Sequence, residues 1–369
     1  MGIADRKREH VELALTESSQ SAVAAGWDDV QLIPAALPGL DPGDVDLTTD
    51  LAGHALDAPL VLVGMTGGFA EAEQLNATLG AAAQRLGLAV GVGSQRAALV
   101  DPTLERSFAA IRDRAPDATV IANIGACQLV DQDGEPPLTE ADVRRVIAMV
   151  DADLLAVHLN VVQELVQPEG DRRFAGLEGA IAELVSWSPV PVLVKETGAG
   201  IDRESAERLA GAGVAVLDVG GVGGTSFARI EGGRAARAAG SGGSARVAEQ
   251  GSPDHARLGA TFADWGVPAA ASVLEVRGAG LPVVATGGVR TGLDAARALA
   301  LGATAAGLGR PAIIAAGRGD DALVRELEVV LGELRTALLL AGARTPAELR
   351  SPVITGATLA WARQRALLD

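Results

Sequence analysis

The chain has no tyrosine, and aromatic residues make up only 2% of its 369 positions. Its core must therefore be aliphatic, and any flat cofactor must be held by backbone, amides and small side chains. Cys127 is the single cysteine, which excludes an intramolecular disulfide and a thiolate metal cluster. His10, His54, His158 and His255 are the only histidines, and their spacing fits no zinc site. No stretch of about 18 uncharged apolar residues occurs, so a membrane span is not expected. The longest candidate, from Val289 onward, is broken by Arg290, Asp294, Arg297 and Arg310. The opening MGIADRKREH turns charged at once and lacks the apolar stretch of a secretory signal, so a cytoplasmic protein is expected. Positive charge is also scarce: 31 Lys and Arg face 47 Asp and Glu, a formal net charge of −16. A nucleic-acid partner is not expected, because phosphate backbones select clustered cations.

What is present is a repeat of short Val-, Ile-, Leu- and Ala-rich runs alternating with helical stretches, the pattern of β/α units around a parallel sheet. Strands are predicted at Leu60–Val63, Ala89–Gly91, Thr119–Ala122, Leu154–Val157, Val192–Lys195, Val214–Asp218, Val283–Thr286 and Ala305–Leu308. Eight such strands predict a closed TIM (β/α)8 barrel over residues 59–318, with an N-terminal extension (1–58) and C-terminal helices (319–369). Helices are predicted at Ala70–Leu86, Thr139–Val150, Asp202–Ala210 and Thr291–Ala300, the second opening with a Thr139/Asp142 capping pattern. The extension carries a helix over about Asp5–Leu15 and a passage LPGLDPGDVDL that predicts turns or a hairpin at the barrel bottom. Residues 232–258, rich in Gly, Ser and Ala, predict a mobile loop that is either a lid or an uninvolved insertion. At the far end a long helix, Asp320–Ala341, and a helix capped by Thr345-Pro346 and including Trp361 are expected.

Nearly every predicted strand ends in a glycine-rich or polar loop, and in a barrel those loops share one rim, where the chemistry resides. ATGGVR (285–290) and GLGRP (307–311) follow the last two strands, where glycine-exposed amides and an Arg suit a phosphate. MTGG (65–68), Ser94, Asn123, Lys195 and Thr225 lie on the same rim. Each alone reads equally as a strand-end cap; together they point to flavin mononucleotide, a Lys near the ring stabilising the reduced anion. Arg6, Lys7 and Arg96 suggest an anionic substrate, although Arg6 and Lys7 also suit a solvated helix face. Glu164, in HLNVVQELVQPEGDRRF (158–174), is the candidate for a one-carboxylate Mg2+ site or else a solvated helix residue.

These blocks, with RKREH (6–10), GVGSQRAAL (91–99), ANIGA (122–126), VKETGAG (194–200), GGVGGTSFARIE (220–231), FADWGVPAA (262–270) and GGVRTGLDAARALALGA (287–303), resemble the type 2, flavin-dependent isopentenyl-diphosphate isomerases in content and order. The likeness runs from about residue 5 to beyond 340. It implies interconversion of isopentenyl and dimethylallyl diphosphate by reduced FMN, with NADPH as reductant and Mg2+ required, in a homo-oligomer (tetramer or octamer). It further implies that Arg6, Lys7, Ser94, Gln95, Arg96 and Gln163 face the substrate, that Glu164 binds Mg2+, and that His158 lies beside the diphosphate, with Gln163 and His158 as the catalytic side chains. Met65, Thr66, Gly67, Gly68, Ser94, Asn123, Lys195, Thr225, Gly288, Val289, Arg290, Gly309 and Arg310 would hold the flavin. Departures are Gly220-Gly221-Val222 in place of a Ser-Gly-Ala type sequence, Val161–Val162 where Pro–Leu is frequent, and the long Gly/Ser loop.

The mechanism expected from this is a proton added and recovered by flavin N5, with Gln163 and Glu164 orienting substrate and metal. Three other readings share parts of the pattern, one of them an inosinate-dehydrogenase-like barrel, which would need a loop Cys, whereas Cys127 lies in the wrong unit. A 2-hydroxy-acid oxidase would need a His base late in the barrel, and no His follows His255. A non-catalytic flavin-binding barrel would not need Gln163, Glu164 and Arg96.

Overall fold

The computed structural model describes residues 3–240, 254–349 and 352–368. Eight parallel strands close into a barrel: β1 (Leu60–Leu62), β2 (Ala89–Gly91), β3 (Val120–Gly125), β4 (Leu154–Leu159), β5 (Val192–Glu196), β6 (Val216–Asp218), β7 (Val283–Ala285) and β8 (Ala305–Leu308). They pair in chain order, and β8 returns to β1 through Ala306 opposite Leu60. All eight overlap their predicted positions, because each is an apolar run flanked by turn residues and covered on both faces.

Alternation along the strands builds the interior. Ile121, Ala156, Leu193, Val216 and Val284 form an apolar layer with Val61, Ala89, Leu154 and Ala305. Their neighbours two positions on are Asn123, His158, Lys195, Asp218 and Thr286, which share the inward face one step nearer the C-terminal rim. The outward residues, such as Val120, Leu155, Val194 and Leu217, join the larger core beneath the helices.

The barrel floor is closed by a hairpin, Thr49–Leu51 paired with His54–Leu56, which lies just after the LPGLDPGDVDL passage. Leu51 and Leu56 insert into the lower layer against Val61 and Ile121, and Leu51 is fully buried. Leu51→Ala is expected to cost about 3 kcal/mol, since a floor fixed by closed strands collapses poorly around a cavity. A urea unfolding midpoint unchanged from the native protein would show that the floor is not load-sharing.

The helices start where their caps predict. Thr139 and Asp142 form a reciprocal capping box ahead of Glu140–Met149, as Thr291 and Asp294 do ahead of Gly292–Ala300. Two expectations are corrected. The Thr345-Pro346 turn does not lead into the Trp361 helix: a short 3-10 turn ends at Glu348, Pro352 precedes Val353–Ile354, and this strand pairs antiparallel with Val30–Gln31 before helix Gly356–Gln364 begins. Of the predicted mobile loop 232–258, residues up to Gly240 continue the helix Phe227–Gly240, and His255–Thr261 is helical with Asp254 as its cap. Residues 241–253 lie outside the described residues. Among the described residues no helix is long and apolar enough to cross a membrane.

Candidate active site

The C-terminal ends of the strands open into a cavity of about 530 Å3. Of the residues expected at the site, Arg6, Lys7, Met65, Gly67, Ser94, Arg96, Asn123, His158, Gln163, Glu164, Lys195, Thr225, Gly288, Val289, Arg290, Gly309 and Arg310 line it. Three do not. Gln95 is fully buried below the rim, where its amide nitrogen donates to the Val146 carbonyl (2.9 Å) and its oxygen accepts from the Asn123 amide (2.9 Å). It is a strut beneath Asn123 and has no group left to face a substrate. Thr66 is fully buried and donates to Asn76, and the Gly68 amide donates to Ser107 Oγ (2.9 Å), so both support the MTGG turn from behind.

On one side the cavity is lined by glycines that leave no room for a side chain. A Cβ on Gly288 (φ +70) would lie 2.5 Å from the Gly223 carbonyl oxygen, and one on Gly309 would lie 2.9 Å from Met65 Sδ. Arg310 Nη2 donates to the Leu15 carbonyl (2.9 Å) and meets Glu17 (2.5 Å), while its buried Nε has no protein partner. A buried guanidinium N–H left open beside a glycine cradle fits a phosphate. Deeper in, Lys195 Nζ donates to the Glu196 carbonyl (3.0 Å). Its strand neighbours in register are His158 and Asp218. Burial raises the Asp218 carboxyl above its ordinary range against the pull of Lys195, and Thr286 and the Gly220 amide donate to it. Burial also lifts Glu196, to about 7, although the amides of Thr197, Gly198 and Ala199 converge on it.

His158 sits between the halves. Asn123 Nδ2 is committed to the Val92 carbonyl (3.0 Å), so its Oδ1 accepts, and it faces His158 Nδ1 at 2.8 Å. That assigns the proton to Nδ1. Burial, then the ammonium groups of Lys195 and Lys7, pushes the imidazole down to about 3, so the ring is neutral.

The other half is cationic at the rim and carboxylic below. Asn160 Nδ2 and the Asp171 amide hold the two oxygens of Glu164 at 2.7 and 2.8 Å. Burial raises the Glu164 carboxyl, with Asp171's amide opposing. Arg96 is paired with Asp171 (3.4 Å) and Glu135, and Arg6 with Glu169 (3.6 Å). Gln163 Nε2 donates to Glu231 (3.2 Å), whose side chain is fully buried and also meets His10 (2.7 Å) and Arg234. With its amide oriented to satisfy both groups, Gln167 bridges Arg6 (3.1 Å) and the same carboxylate (3.0 Å). Burial opposes ionisation of Glu231, but His10 and Arg234 outweigh it and hold the carboxyl below its ordinary range. Among the described residues no group of three or more His, Cys, Asp or Glu is placed to hold a metal. Glu164 nevertheless suits a hard cation that takes its remaining ligands from water and phosphate oxygens.

Glu231, Asn160 and Thr286 were assigned no role from sequence. Glu231 reaches the site from a helix that follows β6, so no strand-end signal marks it. A simpler signal was present: Lys7 and Lys195 are the only lysines in the sequence, and both line the cavity.

A family model described as FMN-dependent dehydrogenase matches residues 177–355. Among solved structures, mandelate oxidase with (S)-2-phenylpropionate superposes with a TM-score of 0.60 at 19% identity, covering 95% of this chain and 96% of that one. A flavocytochrome b2 variant with sulfite bound gives 0.62 at 18%, covering 92% and 81%. The structural likenesses concern the fold, and the family match places a domain like that of the FMN-dependent dehydrogenases over residues 177–355. Curated relatives are closer in sequence. Isopentenyl-diphosphate delta-isomerase of Methanosarcina acetivorans is 45% identical over 363 residues, 98% of this chain and 94% of that protein. The Halobacterium salinarum protein of the same name is 41% identical over 365 residues, 98% and 96%. The chain belongs to the isopentenyl-diphosphate delta-isomerase family.

Proposed function

We propose that the protein interconverts isopentenyl diphosphate and dimethylallyl diphosphate by a 1,3-proton shift, with FMN and Mg2+ bound and NADPH as reductant. The observation that carries this is one cavity with two halves: a glycine and Arg310 cradle with Lys195 on one side, and Arg6, Lys7 and Arg96 beside Glu164 on the other. Met65, Gly67, Ser94, Asn123, Lys195, Thr225, Gly288, Val289, Arg290, Gly309 and Arg310 would hold FMN. When bound and reduced it supplies an acid–base nitrogen and a negative ring that offsets developing positive charge.

The chain does the remaining work. Arg6, Lys7 and Arg96 would take the diphosphate, the carboxylate partners of Arg6 and Arg96 keeping those two guanidinium groups in place until the substrate arrives. Glu164 would hold Mg2+, which favours the ionised carboxylate that burial alone disfavours. Gln163, its nitrogen fixed by Glu231, would place its amide at the reacting carbons. His158, being neutral, would orient its neighbours and is a poor proton donor. The proposal extends to a cytoplasmic homo-oligomer.

Reduced anaerobically with NADPH in the presence of FMN and Mg2+, the protein is expected to convert isopentenyl diphosphate to dimethylallyl diphosphate, followed by proton NMR. No conversion by flavin-loaded protein would overturn the reading.

The substrate half also has a pH signature. Burial and then Arg6 push the Lys7 ammonium from 10.5 down to about 8; Arg96 adds to this, while Glu164 and Glu231 oppose it. The positive charge is present below that pH and lost above it, so KM for the diphosphate is expected to rise as the pH passes about 8. The stability effect has the opposite sense: a lowered ammonium pKa disfavours the folded state at neutral pH, and the penalty is relieved as the pH climbs from about 8 to 10.5. Lys7→Arg, charged throughout, should flatten the KM profile. A KM already independent of pH in the native protein would remove Lys7 from this role.

A further inference from the structure

Trp27 lies in the N-terminal segment, outside the β/α repeats, yet its indole Nε1–H donates to the carbonyl of Gly287 at 3.0 Å. The side chain is 3% exposed. Gly287 and Gly288 both line the cavity, with φ of +107 and +70, on the loop after β7. No peptide bond among the described residues is cis. In a trans peptide the carbonyl and the following N–H lie in one plane and point in opposite directions across the chain. The indole that holds the Gly287 carbonyl therefore turns the Gly288 N–H the other way.

The segment that carries Trp27 is itself anchored. The Ala25 carbonyl accepts from the Ala270 amide at 2.9 Å, Asp28 meets Arg297 at 2.9 Å, and the Asp29 carboxylate accepts from the Thr358 amide and hydroxyl, each at 2.9 Å. A Cβ on Gly288 would approach Ala25 Cβ to 2.8 Å, so the loop lies directly on this segment. With glycine on both sides, the peptide between Gly287 and Gly288 has little conformational restraint of its own. To the packing around it the indole adds a directional restraint on the Gly287 carbonyl.

We infer that Trp27 is a positioning residue for the flavin phosphate: by fixing the Gly287 carbonyl it presents the Gly288 N–H to that group. This rests on the reading of the loops after β7 and β8 as the phosphate half of the site. Phenylalanine at this position keeps the ring and loses the donor.

The experiment is a comparison of FMN with riboflavin, which lacks the phosphate, by flavin fluorescence titration of the full chain and of Trp27→Phe. FMN affinity is expected to fall about 10-fold in the variant, the scale of one lost hydrogen bond, with riboflavin affinity unchanged. Unchanged FMN affinity, or equal losses for both flavins, would overturn the inference, the latter because it would show a merely structural role. Should Trp27→Phe not fold, the indole N–H resonances of the native protein serve instead, assigned by substituting Trp187, Trp265 and Trp361. The Trp27 signal should shift with FMN and not with riboflavin; no phosphate-dependent shift overturns the inference. A native protein that binds FMN no more tightly than riboflavin would instead remove the phosphate-half reading, and the inference with it.

Discussion

Replacing Gln163 with alanine is expected to lower turnover on the order of 100- to 1000-fold, the scale on which single preorganised polar groups act in enclosed sites. Flavin binding should remain, because the glycine cradle and Lys195 lie on the other half of the cavity. Folding should remain too. Gln163 Nε2 is one of several donors to Glu231, and His10 and Arg234 stay paired with that carboxylate when the amide is removed. The variant therefore separates positioning at the reacting carbons from maintenance of the buried network. Steady-state kinetics on flavin-loaded variant protein decide the matter, and near-native turnover would take Gln163 out of the reaction.

Glu164→Gln is the second large effect. A glutamine is nearly isosteric and can still accept from the Asn160 amide or the Asp171 N–H, so the local turn should survive. Arg172 also ties that turn, bonding the carbonyls of Glu164 and Gln167. What is lost is the single negative charge offered to the cation. The Mg2+ concentration for half-maximal activity is expected to rise on the order of 100-fold, in line with deletion of one member of a buried charge pair. The FMN spectrum should not change. A variant whose Mg2+ titration matches the native curve would show that the metal is held elsewhere.

Much of this architecture was legible because each barrel strand carries its own signals. Ile121 followed by Asn123, or Leu193 followed by Lys195, marks in one short span an apolar layer and the polar rim above it. What escaped depended on long-range partners. Gln95 shares its loop with Ser94 and Arg96, and only the packing against Val146 and Asn123 shows that its amide turns inward. Glu231 sits on a helix whose sequence is that of an ordinary amphipathic segment, and its meaning arises when His10 arrives from the other end of the chain. The Trp361 helix was misjudged for a similar reason. Pro352 and the pairing of Val353–Ile354 with Val30–Gln31 interrupt it, and that partner is more than 300 residues away in sequence.

The restriction of lysine to Lys7 and Lys195 has a practical consequence. Every other permanent positive side chain is arginine, so the outer surface offers no primary amine from a side chain. Activated esters and reductive methylation reagents, apart from reaction at the α-amino group, must enter the cavity to find a target. On the proposed reading, amine labelling of this protein would thus serve as an occupancy assay, with protection by a diphosphate reporting on Lys7 and protection by flavin on Lys195. Coupling the protein to a solid support through lysine would, for the same reason, block the site it was meant to display.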